Sequence, residues 1–189
     1  MQKMREIKIM QKMREIKKFI QGKERKETIT IKCKQANAGC AWYKFRNPFL
    51  MMFRGILNEV FKKLPPSRFK NSLYRIFFGM QIGKDVCLSP DVHFDPLFPE
   101  LITIGDNALL GWGVKIVTHD IVGKNLILGK VSIENNFLAG GFSSIHPGVH
   151  IGKNCIVGKG ALVIKDVPEG DIVGGVPAKS IQARIKNAN

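Results

Sequence analysis

The chain of 189 residues is long enough for one substantial domain with an appended segment. Its 44% hydrophobic and 24% charged residues are ordinary for a globular protein, but the formal net charge of +15 is not. Residues 1–81 hold 20 Lys/Arg against 5 Asp/Glu, whereas residues 82–189 hold 10 of each. The excess charge therefore belongs to the N-terminal part alone. That part has no basic–aromatic motif of a known nucleic-acid module, so we expect no nucleic-acid partner and leave peripheral contact with an anionic membrane open.

The chain has no stretch of 18 uncharged apolar residues, and its N-terminus lacks the apolar core of a signal peptide. The spacing of the cysteines indicates neither a zinc knuckle nor a disulfide framework; they are Cys33, Cys40, Cys87 and Cys155. We therefore expect free thiols and a cytoplasmic protein.

Residues 1–46 are predicted to be a basic N-terminal extension, with disorder as one interpretation. The sequence MQKMREIK occurs twice, at Met1–Lys8 and at Met10–Lys17. The offset of nine residues fits no helical repeat, and we assign it no function. Residues 28–34 alternate in the manner of a short strand.

Residues 47–81 predict two amphipathic helices. Asn47-Pro48 is a suitable helix start, Pro65-Pro66 ends the first helix, and Ser67 can cap the second. Apolar residues recur at helical spacing at Phe49, Leu50, Phe53, Ile56, Leu57, Val60, Phe61, Leu64, Phe69, Leu73, Ile76 and Phe77. The simpler interpretation is that this stripe packs on the next domain or on a neighbouring subunit. The alternative is a helix that lies on a membrane surface.

From Ile82 to residue 182 the pattern changes to a period of six. Aliphatic residues open successive hexads at Ile82, Leu88, Ile104, Leu110, Ile116, Ile133, Ile145, Ile151, Val157 and Val163, with Phe94 and Ala139 in two further slots. Glycine often follows, and the fifth position is usually small or β-branched. This pattern is typical of a parallel β-helix, in which three short strands and three corners form one coil. We attribute the glycines to backbone conformations that other residues resist.

The hexads predict four coils, which start at Ile82, Ile104, Ile133 and Ile151. The period breaks between Phe94 and Ile104, so residues 96–100 form a bulge. It breaks again between Ile116 and Ile133, so residues 118–130 leave the coil as a loop that begins with Thr118-His119-Asp120. Excursions from a regular scaffold are where chemistry is usually placed.

The hexads, the histidine-bearing loop and the two C-terminal motifs KDVP (165–168) and GVPAK (175–179) resemble the hexapeptide-repeat acetyltransferase family. The similarity is greatest to the maltose, galactoside and capsule-sugar O-acetyltransferases, and it covers about residues 45–182. It implies a mainly β fold, a left-handed parallel β-helix over 82–182 followed by a tail at 183–189. It also implies a homotrimer with acetyl-CoA bound between adjacent prisms.

The resemblance further implies acetyl transfer from acetyl-CoA to a hydroxyl of a sugar or polysaccharide precursor. His119 matches the general base, and Asp120 or a backbone carbonyl would fix its tautomer. Gly141 matches the backbone amide that stabilises the oxyanion. Lys159, Lys165 and Lys179 are the expected CoA contacts, and Asp95 in the first break is expected to contact the acceptor. No metal is expected.

Three other functions remain open. The fold and donor would suit an N-acetyltransferase acting on an amino-sugar nucleotide. The same solenoid carries a zinc-dependent carbonic anhydrase with three histidine ligands, but His93, His119, His146 and His150 fall in different hexad slots and stack into no triad within one subunit. A solenoid scaffold without activity is the third, and the presence of His119 argues against it.

Overall fold

A computed structural model of the chain describes residues 2–22, 27–33 and 43–182. Cys40 and the predicted tail at 183–189 lie outside these residues. In chain order the elements are α1 (Gln2–Ile20), β1 (Thr28–Lys32), α2 (Pro48–Lys63), α3 (Arg68–Phe78), β2 (Gln81–Ile82), β3 (Cys87–Leu88), β4 (His93–Phe94), a 3₁₀ helix (Pro99–Leu101), β5 (Ile102–Ile104), β6 (Leu109–Leu110), β7 (Lys115–Ile116), β8 (His119–Val122), β9 (Asn125–Gly129), β10 (Val131–Ile133), β11 (Leu138–Ala139), β12 (Ser144–Ile145), β13 (His150–Ile151), β14 (Ile156–Val157), β15 (Leu162–Val163), β16 (Ile172–Gly174) and β17 (Lys179–Ser180).

The short strands stack into the three faces of a parallel β-helix. The first face joins β2, β5, β10 and β13, the second joins β3, β6, β11, β14 and β16, and the third joins β4, β7, β12 and β15. The register confirms the four predicted coils, because Ile82, Ile104, Ile133 and Ile151 are paired in turn along the first face. Strand β17 adds to the second face antiparallel to β16.

One continuous hydrophobic core fills the prism. The residue that opens each hexad points inward and is 0–7% exposed in all twelve slots. The fifth position is also buried, as at Val86, Ala108 and Cys155. Burial of these aliphatic columns stabilises the stack, together with the backbone hydrogen bonds that join each coil to the next, such as the one from Gly83 N to the Ile104 carbonyl at 2.8 Å.

The glycines in the second hexad position serve close packing rather than unusual backbone angles. A Cβ atom at Gly140 would lie 2.5 Å from the Lys159 nitrogen, and one at Gly105 would lie 2.7 Å from the Glu134 carbonyl carbon. Neither glycine has a positive φ. The expected reason for these glycines is therefore wrong: at five of the six positions the backbone of the next coil passes too close for a side chain, and Gly158 is the exception.

Helices α2 and α3 close the N-terminal end of the prism. Asn47 and Ser67 cap them as predicted, since their side chains accept hydrogen bonds from Phe49 N and Lys70 N respectively. The predicted apolar stripe is divided. Phe61 is buried, and Leu57 and Leu64 pack partly against the core; most of the other members face outward.

The second register break leaves the coil as a hairpin of β8 and β9, to which β1 adds antiparallel. Behind this sheet, Ile16 and Phe19 of α1 join a second buried cluster with Phe98 and Leu128. The N-terminal segment thus supports the hairpin that carries His119. Within the described ranges, no helix is long and apolar enough to cross a bilayer.

Candidate active site

The two register breaks occur at one corner of the prism, on successive coils. Phe94 pairs with Ile116 in the third face, and the Asp95 nitrogen donates to the Ile116 carbonyl at 3.0 Å. The residues that follow β4 and β7 are therefore neighbours in space. This stacking places Asp95, from the first break, directly against Thr118 and His119, from the second.

The carboxylate of Asp95 is the centre of this corner. Its Oδ2 atom accepts hydrogen bonds from Thr118 N at 2.9 Å, Thr118 Oγ1 at 2.8 Å and His119 N at 3.1 Å. The His119 ring nitrogen Nδ1 lies 2.5 Å from the same oxygen. The other oxygen, Oδ1, accepts from Leu97 N at 2.8 Å. Asp95 is only 3% exposed, so these donors take the place of water.

The hydrogen bonds keep Asp95 ionised. Burial raises the pKa of this carboxyl, but the bond and the charge interaction with His119, followed by the amides of Thr118 and Leu97, outweigh burial, and the net pKa is lowered. A carboxylate can only accept, so Nδ1 of the neutral His119 ring must carry the hydrogen. The Nε2 atom then has a free lone pair, and it contacts no hydrogen-bonding group among the described residues.

His119 sits at the edge of the buried cluster with its ring partly open to solvent. Its side chain is 25% exposed, and the Phe98 ring packs edge-on at 6.4 Å between centroids. The Arg46 guanidinium lies over the same Phe98 ring, 4.4 Å from its centroid, and pairs with Glu100. Burial, and after it the charge of Arg54, lowers the pKa of Arg46 to about 10.

Asp120 does not contact the His119 ring. Its Oδ1 atom accepts a hydrogen bond from Ile121 N at 2.7 Å, and the residue is exposed. The group that fixes the tautomer is therefore Asp95 rather than Asp120 or a backbone carbonyl. Asp95, which we expected to contact the acceptor, is buried beneath the histidine with both oxygens occupied.

Gly141 lies at a different corner, between the second and third faces. The carbonyl of Trp112 is 3.0 Å from where a Gly141 Cβ atom would be, so this position too has little room for a side chain. The Gly141 N–H has no acceptor in the part of the chain that the structure describes. Trp112 and Phe142 are 58% and 62% exposed beside it, and Lys159 follows on the next coil.

The expected CoA lysines are exposed but are not gathered into one cluster. Lys165 follows β15, at the same corner of the prism as His119 but two coils away. Lys159 lies at the corner of Gly141. Lys179 is on β17, at the C-terminal end of the second face. Within one chain the structure therefore does not bring His119, Gly141 and these lysines into a single pocket.

The four histidines are not gathered together; His119 is on β8 and His146 follows β12. His93 is on β4 and His150 on β13, where His150 contacts Ser132 Oγ at 2.8 Å and Glu134 at 3.4 Å. Among residues 2–22, 27–33 and 43–182 there is no group of three His, Cys, Asp or Glu side chains that could hold a metal ion.

The role of Asp95 could have been read from the sequence. Pairing the hexads that start at Phe94 and Ile116 puts Asp95 next to the residues after Ile116, one coil below His119. No comparable sequence pattern indicates that Phe98 and Arg46 lie beside His119. Arg46 precedes α2 in the chain and comes close to Phe98 only in the folded structure.

Sequence comparison finds related proteins over most of the chain. Residues 130–165 match the family model described as bacterial transferase hexapeptide (six repeats). The chain is 34% identical over 151 residues to "Putative acetyltransferase YvoF" of Bacillus subtilis (strain 168), covering 79% of this chain and 88% of that protein. It is 38% identical over 88 residues to the galactoside O-acetyltransferase of Escherichia coli (strain K12), covering 43% of each chain.

Solved structures share the architecture. A hexapeptide-repeat acetyltransferase of Vibrio cholerae in complex with acetyl-CoA superposes with a TM-score of 0.56 at 24% identity, covering 71% of this chain and 86% of that one. A galactoside acetyltransferase in complex with CoA gives a TM-score of 0.55 at 24% identity, covering 74% and 84%. The similarity confirms the predicted fold, a left-handed parallel β-helix.

Proposed function

The chain belongs to the hexapeptide-repeat acetyltransferase family, and from that premise we propose that it transfers an acetyl group from acetyl-CoA to a hydroxyl of a sugar or polysaccharide precursor. The observation that carries this proposal is the Asp95–His119 pair, which leaves Nε2 of a partly exposed histidine free to accept a proton. Two relatives with CoA or acetyl-CoA bound and one galactoside O-acetyltransferase support the donor and the acceptor class.

In the proposed reaction His119 acts as the general base. Nε2 removes the proton of the acceptor hydroxyl while its oxygen attacks the thioester carbonyl, so a C–O bond forms and the carbonyl oxygen becomes an oxyanion. When the tetrahedral intermediate collapses, the C–S bond breaks and the imidazolium returns the proton to the CoA sulfur. Asp95 holds the ring in the required tautomer and stabilises the imidazolium as it forms.

We propose that the complete site lies between two subunits of a homotrimer. His119 and Gly141 occupy different corners of one prism, so a neighbouring prism is the means of bringing one of each together. The free N–H of Gly141 is a suitable donor to the oxyanion. Exposed Lys159, Lys165 and Lys179 are suitable partners for the phosphates of CoA, as point charges.

The second face supplies a surface for that assembly. Its outward residues Leu109, Leu138 and Ile156 pair in one column across three coils and are 38–42% exposed. Trp112 and Phe142 continue this apolar surface at the corner. Stacked apolar side chains of this kind are typical of subunit interfaces.

We place the reaction in the cytoplasm. Cys33, Cys87 and Cys155 are free thiols, which suits a reducing compartment.

A thiol-release assay tests the proposal. The purified protein is given acetyl-CoA with a panel of neutral sugars, amino sugars and oligosaccharides, and free CoA is measured. We expect release with a sugar acceptor and a product whose acetyl group is removed by hydroxylamine, as an ester is. A product acetylated on nitrogen, which resists this treatment, would replace O-transfer with N-transfer. The absence of release with every acceptor would contradict the proposed acceptor class.

A further inference from the structure

The outer surface of α2 and α3 carries a large exposed apolar patch. It consists of Phe49, Leu50, Met52, Phe53, Ile56 and Val60 on α2 and Phe69, Ile76 and Phe77 on α3, which are 40–78% exposed. The α2 members follow helical spacing along one side of the helix, and Phe53 and Phe77 join the two helices with ring centroids 6.5 Å apart. We call this surface the helical patch.

The helical patch is not an unfilled part of the core, because both helices already pack with their opposite sides. The buried side of α3 is already occupied, since Lys70, Asn71, Tyr74 and Phe78 are all 0–2% exposed against the prism and α2. Phe69 and Ile76 nevertheless remain 67% and 73% exposed on the other side. Large apolar side chains on both sides of a helix are suited to a second, apolar partner.

The exposed area of the helical patch is also larger than that of the apolar patches on most monomeric proteins. The four aromatic side chains carry roughly 150–250 Å² each and the five others roughly 100 Å² each, so at 40–78% exposure the nine present on the order of 750 Å². The largest patch on a typical monomer is about 300–600 Å². Larger patches mark contact with a protein or a membrane.

The charge around the helical patch indicates an anionic partner. Residues 48–78 contain six Lys/Arg and one Asp/Glu. Lys70 is buried, and the side chains of Arg54 and Lys62 are only 13% and 18% exposed, which leaves Lys63 and Arg68 as the most exposed of these cations. Lys63 and Arg68 pair with Asp91 and Asp85, yet their side chains remain 66% and 89% exposed. Exposed ion pairs of this type contribute little, so a phosphate can compete for the same cations.

A basic groove adjoins the apolar side chains of α3. It has a volume of about 400 Å³ and is lined by Arg68, Asn71, Ser72, Arg75, Gly83, Lys84 and Asp85. Three of these side chains are cationic and one is anionic. The groove is therefore a suitable site for a phosphate-bearing headgroup next to an apolar surface.

We propose that the helical patch docks the protein on an anionic membrane surface, with the apolar side chains inserted at the interface and the basic groove on the headgroups. A second copy of the chain fits less well, because two such ends would bring like charges together. The neutral β-helix offers its own apolar column at Leu109, Leu138 and Ile156 for contact between copies.

The arrangement of the proposed trimer would strengthen this docking. In a cyclic trimer of parallel prisms the three N-terminal ends point the same way, so three helical patches would lie on one side. Several weak contacts to one membrane then act together. This step alone rests on the function proposed above; docking by one subunit does not need it.

Vesicle flotation tests the proposal on the full chain. The probes are phosphatidylcholine vesicles with and without about one third phosphatidylglycerol. We expect the protein to float with the anionic vesicles, less so in about 0.5 M salt than in 0.1 M. The triple variant Phe49→Ser, Phe69→Ser, Ile76→Ser should lower the partition at least about tenfold. The control is Met10→Ser, Val122→Ser, Ile164→Ser, which removes three apolar side chains that are 45–56% exposed elsewhere on the chain and should float as the unaltered chain does.

Three results would overturn the docking proposal: no flotation of the unaltered chain, equal flotation with and without phosphatidylglycerol, or equal flotation of the patch variant. If the unaltered chain does not float and the patch variant has a lower oligomeric mass, the helical patch is assigned to contact between copies of the chain. Acetyl transfer to a soluble acceptor is measured in parallel and should be unchanged in the patch variant. A chain that floats but transfers no acetyl group would contradict the proposed function and leave the docking intact.

Discussion

The Asp95–His119 pair holds a single loop histidine in one orientation, as the proposed general base requires. One carboxylate oxygen receives two amides, a hydroxyl and the imidazole, so the position of the ring depends on the whole corner. The carboxylate that follows His119 in the chain, Asp120, accepts instead from the Ile121 amide. Burial and hydrogen bonding, rather than proximity in sequence, decide which carboxylate orients the ring.

Asp95→Asn should lower kcat roughly 10²–10⁴-fold, because an amide in this place favours the wrong histidine tautomer. The matched control is Asp120→Asn, which makes the same substitution at the residue after His119. Its kcat should stay within about twofold of that of the unaltered protein. Steady-state rates with acetyl-CoA and the identified acceptor check both variants. Equal losses in the two variants would contradict the assignment of Asp95.

The lowered pKa of Asp95 also predicts a pH dependence of stability. The unfolded chain takes up this proton near the ordinary carboxyl pKa of about 4, before the folded chain does. The contribution of Asp95 is therefore present above about pH 4 and is lost as the pH falls through the lower, folded pKa. Urea unfolding at pH 6 and near pH 3 should show a smaller drop in unfolding free energy for Asp95→Asn than for the unaltered chain. A drop of the same size in Asp95→Asn and in the unaltered chain would contradict this role of Asp95 in the pH dependence.

At the scale of secondary-structure elements, side chains from α2 and α3 satisfy the open edge of the first coil. Lys70 Nζ donates to the carbonyls of Leu64, Leu88 and Ser89 at 2.9–3.2 Å. Further edge carbonyls accept bonds from Asn58, Asn71 and Arg75. An uncovered sheet edge is a template for aggregation, so these polar side chains protect the end of the prism.

Lys70→Met should lower the free energy of unfolding by about 2–4 kcal/mol, because it keeps the aliphatic stem but leaves buried carbonyls without their charged donor. The control is Lys63→Met, where the lysine side chain is 66% exposed and pairs only with Asp91. That change should cost less than about 1 kcal/mol. Urea denaturation measures both, and similar values for the two variants would contradict the edge-capping role.

Much of this element structure could be predicted from sequence because each coil repeats one local rule. The column of inward residues fixes the coil starts and both register breaks, and the caps at Asn47 and Ser67 depend on neighbouring residues only. The pairing of β1 with β9 could not be predicted, since it joins segments about 100 residues apart in the chain without a periodic signal. The burial of Lys70 could not be predicted either, because it depends on carbonyls of the first coil.

For the whole molecule, the separation of His119 and Gly141 on different corners is the strongest argument for a site between subunits. Leu138 lies at the middle of the apolar column on the second face and is 40% exposed. Leu138→Asp should therefore leave the prism folded but reduce the mass in solution toward the 21.2 kDa of one chain, with loss of activity. Thr103→Asp, on the outward side of the first face, is the control. Light scattering distinguishes the variants, and an unchanged mass for Leu138→Asp would place the interface elsewhere.

We propose that His119 performs the proton transfer, and one variant tests this role most directly. His119→Ala should keep the circular dichroism spectrum and the oligomeric mass of the unaltered protein, because the ring is at the rim of the buried cluster. Its kcat for acetyl transfer, measured by thiol release, should fall roughly 10²–10⁴-fold. A folded His119→Ala variant with near-normal kcat would contradict the account.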